Sequence, residues 1–176
     1  MSEEINLIIR QAIPDDAENL LYTLNQIRQE TDFLTMDEND VNISIEFQRH
    51  QLENIYESEN NVLILAFDGE KIIGSISVHA NSQHRIKHIG EIGISILKEY
   101  WGLGLGSILL EEAIYWAKES GIIRRLELTV QKRNQKAIHL YEKFGFQTET
   151  IMQRGAVDEQ DNFLDVHLMS LLIDPE

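Results

Sequence analysis

Two hydrophobic periods alternate along this chain and divide it into elements. Near the start, apolar Ile5, Leu7 and Ile9 alternate against polar neighbours at Asn6 and Arg10, which predicts a first strand over residues 5–13. Pro14, Asp15 and Asp16 mark a helix start, with acids placed to suit the dipole. Ala17, Leu20, Leu21, Leu24 and Ile27 then recur at helical spacing, and the helix should end near residues 28–30. Residues 31–41 are acidic and irregular, with Asp32, Asp37, Glu38 and Asp40 around Phe33, Leu34 and Met36. Ser44 can cap a second helix to about Glu57 that turns Ile45, Leu52, Ile55 and Tyr56 inward.

Residues 61–67 and 71–80 form two apolar strands around Asp68-Gly69, a hairpin signature. A polar loop over 81–87 leads to a strand over 88–96. A helical run follows, with Leu109, Leu110, Ala113, Ile114 and Ala117 on one face and Gly121 as its left-handed cap. A buried strand over 126–130 comes next. Asn134 caps a short helix whose apolar face is Ala137, Ile138, Leu140 and Tyr141. Gly145 ends it between Phe144 and Phe146. Residues 147–156 and 163–172 close the chain as a hairpin. Antiparallel hairpins combined with one strand–helix–strand crossover imply an α/β protein with a mixed sheet.

Length and composition narrow the class. The 176 residues suffice for one domain spanning 1–176, and 43% hydrophobic content indicates a globular chain. There is no cysteine, which excludes thiolate catalysis and zinc–thiolate sites. Neither a signal-like N-terminus nor an apolar run of spanning length occurs, so a cytoplasmic protein without a membrane partner is expected. Thirty acids against 15 Lys plus Arg give a formal charge of −15, which argues against nucleic acid. The same charge favours a cationic partner through steering, or serves only for solubility.

Candidate chemistry centres on Tyr100-Trp101-Gly102-Leu103-Gly104-Leu105-Gly106-Ser107. Strand, glycine turn and helix form a phosphate-binding recipe: inward N–H groups and a positive helix end require no basic side chain. A P-loop is excluded, because Ser107 and Ile108 follow Gly106 where Lys and Ser or Thr are needed. A dinucleotide turn is excluded as well, because its third glycine would fall on Ser107 or Leu109. A glycine-rich surface turn without a ligand stays open on these residues alone. An anionic ligand would have to find local positive charge, which Lys132, Arg133 and Lys136 could add.

This turn resembles the coenzyme A pyrophosphate loop of GNAT-type N-acetyltransferases, with Gly104 and Gly106 at the two small positions and Trp101 where Arg or Gln is usual. A second stretch strengthens the resemblance: Val130, Asn134, Ala137, Leu140-Tyr141 and Gly145-Phe146. The element order also matches the GNAT fold over essentially the whole chain. The resemblance implies a mixed sheet of six to seven strands flanked by about four helices. It also implies acetyl-CoA as acetyl donor, no metal, and direct transfer to a primary amine in a ternary complex. Family members often pair through edge strands, which makes a homodimer an expectation.

Residue by residue, the resemblance places the pantetheine arm along Ile94, Ser95 and Ile96. It places the pyrophosphate against Trp101, Gly102, Leu103, Gly104, Leu105, Gly106 and Ser107. Asn134, Ala137, Tyr141 and Lys143 complete the cofactor side. Tyr141 becomes the general acid and Glu91 the candidate base; from spacing alone they are a core tyrosine and a surface strand glutamate. Asn134 is also a plain helix cap, and Lys143 and Arg133 are also solvated charges. Glu30 and Asp32, after the first helix, are the candidate acceptor-binding acids; a solvated loop explains them equally well. His84 and His88 do not suit a metal site, and His79 and His167 are expected to be structural. The acceptor remains open among a polyamine, an amino acid, an antibiotic, and a protein N-terminus or lysine. The competing reading is a domain that senses acetyl-CoA without turnover.

Overall fold

A computed structural model describes residues 4–34 and 38–175. Expectations placed on residues 1–3, Met36 and Asp37 fall outside them. Seven strands form one sheet: β1 (Leu7–Gln11), β2 (Val62–Asp68), β3 (Lys71–Ala80), β4 (Ile89–Ile96), β5 (Arg125–Gln131), β6 (Gln147–Val157) and β7 (Phe163–Leu172). Their order across the sheet is β1-β2-β3-β4-β5-β7-β6. Every pairing is antiparallel except β4 with β5, the parallel pair joined by the long helix. The helices among the described residues are α1 (Ala17–Glu30), α2 (Glu38–Val41), α3 (Ile45–Glu57), α4 (Leu105–Ser120) and α5 (Gln135–Lys143).

Each face of the sheet buries its own apolar set. On one side α4 lays Leu109, Leu110, Ala113 and Ala117 on Ile64, Ile76, Ile92, Leu126 and Leu128, all buried. On the other, α1 and α3 bring Ala17, Leu20 and Leu52 onto Leu63, Leu65, Phe67 and Ile72. Full burial of one such leucine side chain contributes roughly 1.5–3 kcal/mol, so these two layers dominate the fold's stability. The edge strand β1 is held by an ion pair: Arg10 grips Asp16 with two hydrogen bonds of 2.8 Å and lies over the Phe67 ring.

The boundaries follow local chemistry. Ser44 caps α3 by accepting from the Phe47 N–H at 3.0 Å, and Asn134 caps α5 by accepting from Ala137 at 3.4 Å. Gly121 ends α4 at φ +66, a left-handed value glycine adopts without strain. Three sequence expectations need correction. The short helix α2 occupies ground expected to be irregular, and makes the helix count five among the described residues. On α3, Ile45 and Tyr56 are exposed, while Leu52 and the polar Gln48 turn inward. On β3, His79 is exposed rather than structural, whereas His167 does bond the Thr148 hydroxyl at 3.0 Å.

Candidate active site

The site begins where β4 and β5 part. Their parallel register joins only Ile89 to Arg125, Gly90 to Leu126, and Glu91 to Glu127. Gly90 leaves room for the side chains of both neighbouring strands, since a Cβ there would lie 2.5 Å from Val78 Cγ1 on β3 and 3.2 Å from Leu126 Cδ2 on β5. Beyond Glu91, β4 continues to Ile96 paired with β3 alone, and β5 continues to Gln131 paired with β7 alone. The two strands therefore form a fork, and each presents an unpaired backbone edge toward the gap. A cavity of about 650 Å³ occupies the fork's open end.

The glycine turn forms one wall of that cavity. Gly102 and Gly104 stand at φ +76 and +83, and a Cβ at either would meet nothing within 4 Å. They are glycines for the backbone conformation and for the open space in front of it. Gly106 differs: a Cβ there would lie 3.1 Å from Leu140 Cδ2, so this glycine lets α4 pack closely on α5. No side chain caps α4, and its ladder starts with Ile108 N–H donating to the Gly104 carbonyl. The N–H groups of Leu105, Gly106 and Ser107 precede that ladder, at the positive end of the helix.

The turn itself is held from behind. The 3-10 turn Lys98–Tyr100 is pinned by Leu97 N–H to the Ile73 carbonyl, Lys98 N–H to Glu30, Glu99 to Lys71, and the Tyr100 hydroxyl to Asp68 at 2.9 Å. Burial and that hydrogen bond both raise the Tyr100 pKa. The Trp101 indole N–H donates to the Ile96 carbonyl at 2.8 Å and so folds back over the end of β4.

Across the cavity, α5 and its cap supply Asn134, Ala137, Leu140 and Tyr141. Tyr141 is 6% exposed, and its ring packs on Phe146 with centroids 5.8 Å apart. Burial pushes its pKa up to about 12, so the hydroxyl stays protonated far above neutral pH. Arg133 and Lys136 also line the cavity and bring positive charge to an otherwise acidic chain. A third boundary comes from the end of α1, through Ile27, Thr31, Phe33 and Leu34.

Of the residues singled out in the sequence, Ile94, Ser95, Ile96, Trp101, Gly102, Gly104, Leu105, Gly106, Ser107, Asn134, Ala137 and Tyr141 line this one cavity. Leu103 and Lys143 are exposed outside its lining. Glu91 is exposed on the paired stretch of β4, beside Glu127, whose carboxylate accepts from Arg125 at 2.8 Å. Glu30 does not line the cavity; its carboxylate accepts from the Lys98 N–H at 2.8 Å and from Gln26 at 3.1 Å. Asp32 contributes its backbone carbonyl rather than its carboxylate, accepting from Gln131 and Arg133. Sequence reasoning missed Ile27, Thr31, Phe33 and Leu34 as lining residues. The available signal was two apolar residues standing alone in an acidic stretch.

Residues 23–146 match the Acetyltransferase (GNAT) family. The chain belongs to this family. Among solved structures, it is 47% identical to the acetyltransferase of GNAT family from Streptococcus pneumoniae, with a TM-score of 0.93 over 96% of this chain and 100% of that one. A putative acetyltransferase from Salmonella typhimurium, solved with its cofactor acetyl-CoA, shares the fold at 20% identity and a TM-score of 0.81, over 97% and 95% of the two chains. The L-amino acid N-acetyltransferase AaaT of Escherichia coli K12 is 27% identical over 108 residues, 61% of this chain and 65% of that protein. The spermidine N(1)-acetyltransferase of the same strain is 33% identical over 97 residues, or 55% and 50%. The match thus spans less than two thirds of either named relative. The GNAT match runs from α1 to Phe146 and so takes in every element around the fork.

Proposed function

We propose that this GNAT protein is an N-acetyltransferase of one catalytic domain that moves the acetyl group of acetyl-CoA to a primary amine by direct transfer. One observation carries the reading. The uncapped start of α4, the unpaired edge of β4 and the buried Tyr141 all border the same cavity.

The residues suit coenzyme A on physical grounds. A pyrophosphate fits the N–H groups of 105–107 and the open space before Gly102 and Gly104, with Arg133 and Lys136 as nearby cations. An amide-bearing arm fits the β4 edge at Ile94, Ser95 and Ile96 as an added strand. When bound, acetyl-CoA supplies a thioester whose acyl carbon the amine attacks as the C–S bond breaks. A free N–H on the β4 edge would donate to the oxygen that gains negative charge. The Tyr141 hydroxyl would give its proton to the departing sulfur. Glu91, on the sheet face that carries Ser77 and Ser95, would take the ammonium proton through water. Holding both reactants in one fork removes much of the barrier without a covalent enzyme intermediate.

The acceptor is assigned to the side bounded by Ile27, Thr31, Phe33 and Leu34, which the cofactor elements leave free. The working state is taken as cytoplasmic and dimeric through an edge strand; sedimentation tests the second point. Among the described residues no helix is long and apolar enough to cross a membrane, and no cluster of metal ligands occurs.

The deciding experiment is thiol release from acetyl-CoA with spermidine, a series of L-amino acids and an alanine-terminated peptide. Release with one class above the amine-free rate supports the enzyme. Calorimetric binding of acetyl-CoA with no release from any amine would leave the sensor reading in its place.

A further inference from the structure

The open end of the fork is bridged by residues 30–34, and the bridge has a separate anchor on each side. On the β4 side, the Glu30 carboxylate accepts from the backbone N–H of Lys98 at 2.8 Å, two residues beyond the strand. On the β5 side, the Asp32 carbonyl accepts from Gln131 Nε2 at 3.3 Å and from Arg133 Nη2 at 3.2 Å. These two donors are themselves joined, because Arg133 Nε donates to Gln131 Oε1 at 2.7 Å. The Arg133 guanidinium also lies 5.5 Å from the centre of the Phe33 ring. Gln131, the last residue of β5, is 6% exposed.

A buried amide with both ends bonded holds one geometry, and it holds whatever its partners belong to. Gln131 lies past the last β4–β5 pair, where no ladder positions β5 relative to β4. The bridge therefore does what missing ladder bonds would otherwise do at this end. The two anchors act on different groups. Glu30 fixes the turn that leads into the glycines. Gln131 and Arg133 fix the backbone that presents Phe33 and Leu34 to the cavity.

We propose that residues 30–34 are a strap setting the width of the fork, with Glu30 and Gln131 as positioning residues for the two different substrates. Glu30 positions the coenzyme A turn, and Gln131 positions the acceptor wall. The assignment of substrates rests on the acetyltransferase reading above; the mechanical role does not.

Three folded variants test it, with melting temperature and circular dichroism as the check on folding. Gln131→Met keeps the bulk and removes both hydrogen bonds. Amide hydrogen exchange at residues 31–34 should accelerate by about tenfold, the equivalent of one or two lost hydrogen bonds, with the glycine turn unchanged. Coenzyme A affinity by calorimetry should stay within about twofold, and KM for whichever amine the wild type acetylates should rise about tenfold with kcat little changed. Glu30→Ala should show the reverse, with about tenfold weaker coenzyme A binding. Glu30→Gln, whose amide oxygen can still accept from Lys98, should recover most of that loss. Equal loss of both substrates in Gln131→Met, or unchanged exchange at 31–34, overturns the strap. Failure of the wild type to acetylate any amine overturns the enzyme reading instead, and exchange and calorimetry still decide the strap.

Discussion

The two walls of the fork are built by different means. The wall proposed for coenzyme A, from Trp101 to Ser107, works through backbone: glycines at positive φ, free N–H groups and a helix end. The wall proposed for the acceptor, from Ile27 in the last turn of α1 to Leu34 in the segment after it, works through side chains, with that segment held by Gln131 and Arg133. A backbone device tolerates few substitutions and binds one constant ligand. A side-chain device can change its ligand by changing residues while the fold stays the same.

The largest expected effect falls between the walls. Tyr141→Phe should lower the single-turnover acetylation rate by roughly two to four orders of magnitude, the range for a positioned acid, with coenzyme A affinity unchanged. Because burial holds the folded pKa at about 12, the Tyr141 proton is present throughout the neutral range. Rates should therefore show no loss from this group below about pH 10, the pKa of an unburied tyrosine. Between pH 10 and about 12 the unfolded chain releases a proton that the native chain keeps, so this group's contribution to stability falls as pH rises. An unchanged single-turnover rate in a folded Tyr141→Phe protein returns Tyr141 to a packing role.

Gly104→Val comes next and attacks the backbone wall alone. A β-branched residue at φ +83 is strained by about 1–3 kcal/mol, and its side chain would project into the open cradle. Coenzyme A affinity should fall by ten- to a hundredfold, as strain of that size implies, while acceptor KM at saturating acetyl-CoA barely moves. Undiminished calorimetric affinity would show that the turn does not hold the phosphates.

Phe33→Ala attacks the other wall. It should raise acceptor KM by about tenfold, the equivalent of the apolar contact removed, and leave coenzyme A binding within about twofold. A matching loss of coenzyme A affinity would mean that the two walls are not separable. Trp101→Gln should have the smallest effect, below about threefold on coenzyme A affinity, because the glutamine amide can also donate to the Ile96 carbonyl. A hundredfold loss would give the indole face a contact of its own with the cofactor.

The same contrast explains what could be read from the sequence. Glycine spacing, the Asn134 cap and hydrophobic periodicity are local signals, and they located the glycine turn before α4, the start of α5 and all seven strands. The hairpin at Asp68-Gly69 and the closing hairpin have the expected bounds to within about two residues. The acceptor wall depends on bonds between Asp32 and residues about a hundred positions away, and no local pattern encodes them. Acids at Glu30 and Asp32 suggested a cation; the Glu30 carboxylate accepts from a backbone N–H, and the Asp32 carbonyl accepts from Gln131 and Arg133. The inward face of α3 was misread because a polar Gln48 takes a buried place while Ile45, the first residue of the helix, is exposed.

The three-pair ladder between β4 and β5 has a further consequence, for how the chain folds. On one side of it, β1 to β4 pair in sequence order by hairpins once β1 has met β2. On the other, β6 and β7 form a hairpin and β5 joins β7. Each group closes mostly short loops, so each can assemble early; the parallel seam requires the α4 crossover and comes late. Amides along Ile89–Glu91 should then exchange by a different opening from those at the centre of β2 and β3. The place where the ladder is shortest would be the boundary between two cooperative units.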